Sequence, residues 1–157
     1  MSLLSLVKLP ATALQKKARE VDLSEVHTPA FQKLIDDMIQ TMHASNGIGI
    51  AAVQVGDPRN AAIVDTKDGE LVLINPKIIR YGLYTEQGEE GCLSVPRSWA
   101  LIKRSKYVRC RALDRHGNIQ DIKASGLFAR VIQHECDHLQ GVLIVDRAIR
   151  IMKIDKT

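Results

Sequence analysis

Gln133-His134-Glu135-Cys136-Asp137-His138 sets two imidazoles four positions apart with a carboxylate between them. On a helix such positions share a face, so both rings can reach one divalent ion while Glu135 stands beside it to handle a proton. The flanks predict that helix. Ser125 suits the N-cap, Leu127 and Val131 lead to His134 at helical spacing, and Gly141 follows where a left-handed residue ends a helix. Gly126 and the β-branched Val131 and Ile132 lower the intrinsic propensity, so packing must hold the helix, which is expected to be central and mostly buried. The same spacing also describes two hydrogen-bonded core histidines, so the metal reading needs a third donor.

Metallopeptidases with this pattern draw their third ligand from downstream, where the chain offers only Asp146 and Asp155 and no further histidine. Upstream, Glu90-Gly91-Cys92-Leu93-Ser94 presents a cysteine beside a glycine that lets backbone approach closely, and a thiolate is a strong ligand for zinc or ferrous iron. Taken singly, Cys92 reads equally as a small buried hydrophobe. A third segment, Gly47-Ile48-Gly49-Ile50-Ala51-Ala52-Val53-Gln54, combines small residues with one amide side chain. It lacks the third glycine and the preceding strand of a dinucleotide-binding turn.

In this order the three segments resemble the three signature motifs of the peptide deformylases, with Ile50 standing where the family's first motif has leucine. The likeness extends to Leu73-Ile74-Asn75-Pro76, Arg111-Ala112-Leu113-Asp114 and Gly141-Val142-Leu143. It implies that Cys92, His134 and His138 hold one divalent metal, natively Fe2+, with Zn2+, Ni2+ or Co2+ as substitutes. It implies further that Glu135 moves the proton of an activated water, and that the Gln54 amide and the Leu93 backbone N–H face the oxyanion formed when a formyl group is attacked. The implied activity is removal of the formyl group from N-formyl-Met nascent peptides, with release of formate.

The resemblance also implies that an extended peptide lies beside Gly47, Ile48 and Gly49, its methionine in a pocket walled by Ile48, Leu127 and Val131. Arg130 either edges that pocket or reaches solvent. Trp99 stands where the family often has a polar residue, and Ser45 and Asn46 where some relatives carry acids. Glu90 is expected to accept a hydrogen bond from a ligating imidazole, and Asp137 to pair with Arg104, the alternative for Asp137 being a solvated helix charge. Two other readings stay open: a metallopeptidase that uses only the histidines, and a non-enzymatic binder of formylated peptides.

Length and composition fit one domain. At 157 residues and 45% hydrophobic, the chain can bury a single core without linker or repeat. Three cysteines, an odd number, argue for a reducing compartment over a disulfide scaffold. The apolar start from Leu3 to Val7 lacks the basic flank and cleavage site of a signal peptide, and no apolar run is long enough to cross a bilayer. Cytoplasm is the expected compartment, with an organellar matrix as the alternative, and neither membrane nor DNA is an expected partner. A monomer is expected. The net charge of +4 gathers partly in a basic tail over 147–157, where Arg147, Arg150, Lys153 and Lys156 outweigh Asp155. That tail reads as a frayed, solvated terminus, with a weak ribosome contact as the bolder alternative.

The remainder predicts a mixed α+β fold, with mainly antiparallel short strands around the central motif helix. Thr28 and Pro29 start a first helix whose apolar stripe runs through Phe31, Leu34, Ile35, Met38, Ile39 and Met42 until Asn46-Gly47 stops it. Strand-like runs follow near 61–64, 71–74, 78–84 and 107–113, and Asp114 to Asn118 turns the chain into 119–122. His27, His43 and His116 are expected to face solvent.

Overall fold

The computed structural model describes residues 2–154. Helices α1 (Leu23–Val26) and α2 (Pro29–Ala44) precede strands β1 (Gly49–Ala51), β2 (Ala61–Thr66) and β3 (Gly69–Tyr81). The hairpin β4 (Thr85–Cys92) and β5 (Val95–Ser105) comes next, then the hairpin β6 (Tyr107–Leu113) and β7 (Ile119–Ser125). Helices α3 (Gly126–Leu139) and α4 (Ile144–Arg147) lead to β8 (Arg150–Lys153). The strands form two antiparallel sheets, one in the order β1-β2-β3-β6-β7 and one in the order β4-β5-β8. This is the expected α+β class. No helix among the described residues is long and apolar enough to cross a membrane.

Local chemistry accounts for the boundaries. Thr28 Oγ1 accepts the Phe31 N–H at 3.3 Å with Pro29 at the first helical position, and Asn46 at φ +55° ends the run after α2. The run expected at 71–74 and the first part of that at 78–84 are one strand, β3, which ends at Tyr81 and whose register against β6 shifts between Ile74 and Lys77. There Asn75 takes φ +51°, and its side chain bonds the Val21 N–H and C=O, both at 2.9 Å. In the β6–β7 turn the Asp114 carboxylate accepts the N–H groups of His116 and Asn118 at 2.8 and 2.9 Å, with Gly117 at φ +85°.

The five-stranded sheet is covered on both sides. Against one face α2 packs Phe31, Ile35, Met38 and Met42 on Ile50, Ile63, Val72 and Ile74; against the other α3 packs Ala129, Val131 and Ile132 on Val64, Leu73, Val108, Cys110 and Ala112. Helix α3 is therefore central and mostly buried, as its sequence predicts. Ser125 is its N-cap by position but makes no capping bond through its side chain, and Gly126 turns the corner at φ +62°. At the other end Gly141 sits at φ +77°, and a side chain there would come within 2.5 Å of the Gln15 carbonyl oxygen.

Two departures matter for the site. The β4–β5 hairpin, unforeseen as strands, delivers Glu90 and Cys92, and residues 150–153 form β8 against β5 instead of fraying. The outermost part of the basic tail, 155–157, lies outside the described residues. His27, His43 and His116 are exposed, as expected, and all three cysteines are free.

Candidate metal centre and active site

Helix α3 turns His134, Glu135 and His138 toward the end of β4, where Cys92 closes the group. Cys92 Sγ lies 3.2 Å from His138 Nε2, which lies 3.2 Å from His134 Nε2, and the three donor atoms fall within 4.8 Å of one another. Ligands at about 2.0–2.3 Å around one tetrahedral ion would stand roughly 3.5 Å apart, so the donor set fits a divalent metal. Electrostatics agree. Burial works against protonation of His134, yet its hydrogen bonds to Cys92 and Glu90 outweigh that cost and push the ring up to about 10. Burial, then the neighbouring His134, pushes His138 well below the usual imidazole range. A divalent ion bound there would displace the proton from His134, since an imidazole ligand must be neutral. Asp146, the downstream carboxylate of the metallopeptidase alternative, instead accepts the Leu143 N–H at 2.8 Å at the start of α4.

Glu90 holds the cluster in place. Its Oε1 accepts from His134 Nδ1 at 2.9 Å, which leaves the Nε2 of that ring facing Cys92 and His138. Arg104 grips both Glu90 oxygens at 2.9 Å, and Arg130 Nη1 adds a third contact at 2.7 Å. Burial opposes ionisation of Glu90, but Arg104 and His134 hold its carboxyl well below the usual range. Arg104 also pairs with Asp137, the partner anticipated from sequence. Arg147, which sequence reasoning missed here, grips the same carboxylate at 2.6 and 2.9 Å. Arg130 is buried and reaches the carbonyls of Glu86 and Ile102 at 3.0 Å, so of its two anticipated fates solvent is ruled out. Gly88 makes room for it, since a Cβ there would sit 2.9 Å from the guanidinium carbon.

Glu135 is 2% exposed, and its Oε2 has no hydrogen-bond partner among the described residues. Burial pushes its carboxyl up to about 7. Gln54 is fixed by Oε1, which accepts the Ala51 N–H at 2.9 Å, while Nε2 donates to Ser94 Oγ at 3.2 Å and faces Cys92 Sγ at 3.7 Å. The amino-terminal segment ties these motifs together: Val7 N–H donates to the Gln54 carbonyl at 2.7 Å, Ser94 Oγ donates to the Val7 carbonyl at 2.7 Å, and Leu9 N–H donates to the Ser94 carbonyl at 3.0 Å. Ser94 and this segment were not singled out as site elements from sequence, because their contacts are made over long chain separations.

A cleft of about 530 Å³ opens above the cluster. Gly47, Ile48 and Gly49 form one wall, Leu127, Val131 and Arg130 another, and Leu93, Trp99 and Ile154 complete it. Ile48 and Leu127 are 49% and 67% exposed, so they line the cleft and do not fill the core. Strand β1 is an edge of the five-stranded sheet, so one side of its backbone is open to an added strand. Every residue expected at the site from sequence lies at or around this cleft or in the ion-pair network behind it.

Comparison with known proteins agrees with this geometry. Residues 3–153 match the family model described as polypeptide deformylase. Peptide deformylase 2 of Xanthomonas campestris is 46% identical over 153 residues, covering 93% of this chain and 87% of that protein. The peptide deformylase of Desulfitobacterium hafniense is 40% identical, covering 94% and 96%. Among solved structures, a class I type b peptide deformylase from Acinetobacter baumannii with Met-Ala-Ser bound superposes with a TM-score of 0.89 at 34% identity, covering 92% of this chain and 98% of that one. That of Synechococcus elongatus in complex with actinonin gives 0.87 at 40% identity, covering 94% and 79%. The chain belongs to the polypeptide deformylase family.

Proposed function

We infer that this chain hydrolyses the formamide of N-formyl-methionine at the start of newly made polypeptides, releasing formate and a free amino terminus. The observation that carries the reading is the convergence of Cys92, His134 and His138 within 4.8 Å, beside buried Glu135, under a cleft bordered by the open edge of β1. Cys92, His134 and His138 would hold a divalent ion, which when bound would supply Lewis acidity for the formyl carbonyl and a water more readily deprotonated near neutrality. Glu135 accepts the proton of the attacking water and returns it to the departing amine. A carboxyl pushed up to about 7 suits a group that must both take and give a proton near neutrality.

Gln54 Nε2 and the Leu93 N–H donate to the oxyanion, and the bond from Ala51 to Gln54 Oε1 keeps that amide from rotating. Loss of one such donor lowers the rate by about 10²–10³. The peptide lies extended against Gly47, Ile48 and Gly49, with its methionine between Ile48, Leu127 and Val131. Glu90 orients His134, and Arg104 with Asp137 holds Glu90 in turn. One sulfur and two nitrogens accept zinc and ferrous iron alike, and it is likeness to the family that favours ferrous iron as the native ion, with zinc, nickel or cobalt as substitutes. The reading places a monomeric enzyme in the cytoplasm or an organellar matrix, with any ribosome contact through the basic tail a weak one.

The test is mass spectrometry of formyl-Met-Ala-Ser after incubation with ferrous-, nickel- or cobalt-loaded protein. Loss of ~28 Da with the wild type, and none with Glu135→Ala, is expected. An unchanged peptide with every metal overturns the reading.

A further inference from the structure

The two helices do not cover the five-stranded sheet to its end. Ile74 and Leu113 are paired across β3 and β6 and pack on the α2 side. Strand alternation puts Arg111 and Arg109 on that same side, beyond the reach of α2, while Val108, Cys110 and Ala112 face α3. Register then brings like charges together. Arg80 stands opposite Arg109, which stands opposite Lys123, and Lys77 stands opposite Arg111, which stands opposite Asp121.

Side chains directly opposed on neighbouring strands lie about 5 Å apart, and like charges so placed destabilise a sheet. Asp121 is the one acid among these six residues, pairing with Arg109 at 2.6 Å and reaching Arg111 at 3.5 Å. Among the described residues no ion pair involves Lys77, Arg80 or Lys123, all of which are exposed. None of the five cations lines the active-site cleft. The sheet therefore carries an electrostatic cost that the described reaction does not use, on a face that a polyanion would relieve.

We propose that this face is a docking surface for RNA, which it grips by the phosphate backbone through Lys77, Arg80, Arg109, Arg111 and Lys123. Tyr107, half-buried on the same side one alternation from Arg109, adds an aromatic ring to the arginine rows, a combination suited to nucleotides. The choice of RNA as the polyanion rests on the inferred action on newly made polypeptides, which emerge beside RNA. The surface is separate from the basic carboxyl-terminal strand, which lies in the other sheet.

The test is fluorescence anisotropy of a labelled single-stranded RNA of about 20 nucleotides, titrated with metal-loaded protein at about 50 and about 200 mM salt. Wild-type protein should bind with strong salt dependence. The triple variant Lys77→Glu, Arg80→Glu, Lys123→Glu should bind at least about tenfold more weakly, with a slope of log K against log salt shallower by about 2. Its kcat/KM on formyl-Met-Ala-Ser should equal the wild type, which also shows that it is folded. The proposal is overturned by no wild-type binding at low salt, by equal binding of the triple variant, or by loss of binding in Arg150→Glu, Lys153→Glu instead. Tighter binding to vesicles of acidic phospholipid than to RNA overturns it too. Binding is read without turnover, so its failure is separable from failure of the deformylase reading.

Discussion

A methyl group at Gly49 would land 2.4 Å from Glu135 Oε1 and 3.0 Å from Val131 Cγ1, so the first motif needs its second glycine to leave the carboxylate where it is. Gly49→Ala is expected to displace Glu135 by a fraction of an ångström to an ångström and lower kcat/KM by about a hundredfold, measured on a formylated tripeptide. The defining result is a rate loss without a matching fall in thermal midpoint. Glu90 has the opposite profile. Glu90→Ala leaves Arg130 buried without its carboxylate partner and Arg104 with Asp137 alone, so chemical denaturation should show a loss of about 3–5 kcal/mol. Competition with a chelator should show metal affinity about 10–100-fold weaker. At this scale the clustering of Cys92, His134 and His138 was legible because all three sit in motifs. Arg130 was not, because its partner Glu90 is 40 residues away and nothing local announces the pairing.

Among the elements, α2 was readable because Thr28, Pro29 and a buried stripe all state the same thing, and α3 because its spacing is helical throughout. Strand β4 was not, since Thr-Glu-Gln-Gly-Glu-Glu-Gly-Cys has neither alternation nor β-branched residues beyond its first. It becomes a strand through its pairing with β5 from Thr85 to Cys92, which is tertiary information. Strand β8 was hidden for a related reason: its charges read as a solvated end, while Ala100 and Trp99 of β5 supply the partner. The end of α3 gives a prediction at this level. Gly141→Ala combines φ +77° with a 2.5 Å approach to the Gln15 carbonyl, so the variant should lose about 1–3 kcal/mol in denaturant melts.

For the molecule as a whole, one acid-sensitive contribution to stability comes from paired carboxylates near the surface. The hydrogen bond and charge of Arg19, outweighing a small burial cost, hold Glu25 down to about 2, and Arg59 holds Asp57 below its usual range against burial. A depressed folded-state value means the stabilisation is complete above about pH 4.5 and is lost as pH falls toward 2. The contribution of the Arg19–Glu25 pair to the thermal midpoint should therefore fall as pH drops from about 4.5 toward 2, with Glu25→Gln shallowing the drop over that window. Glu25 is only partly buried and its partner Arg19 is exposed, so added salt should shrink the effect of Glu25→Gln. A last consequence belongs to the amino-terminal strap, whose backbone at Val7 and Leu9 is stitched to Gln54 and Ser94. It works as a drawstring: proteolytic clipping after Leu9 would slacken the glutamine and cysteine loops together, and silence the enzyme with every catalytic side chain still in the chain.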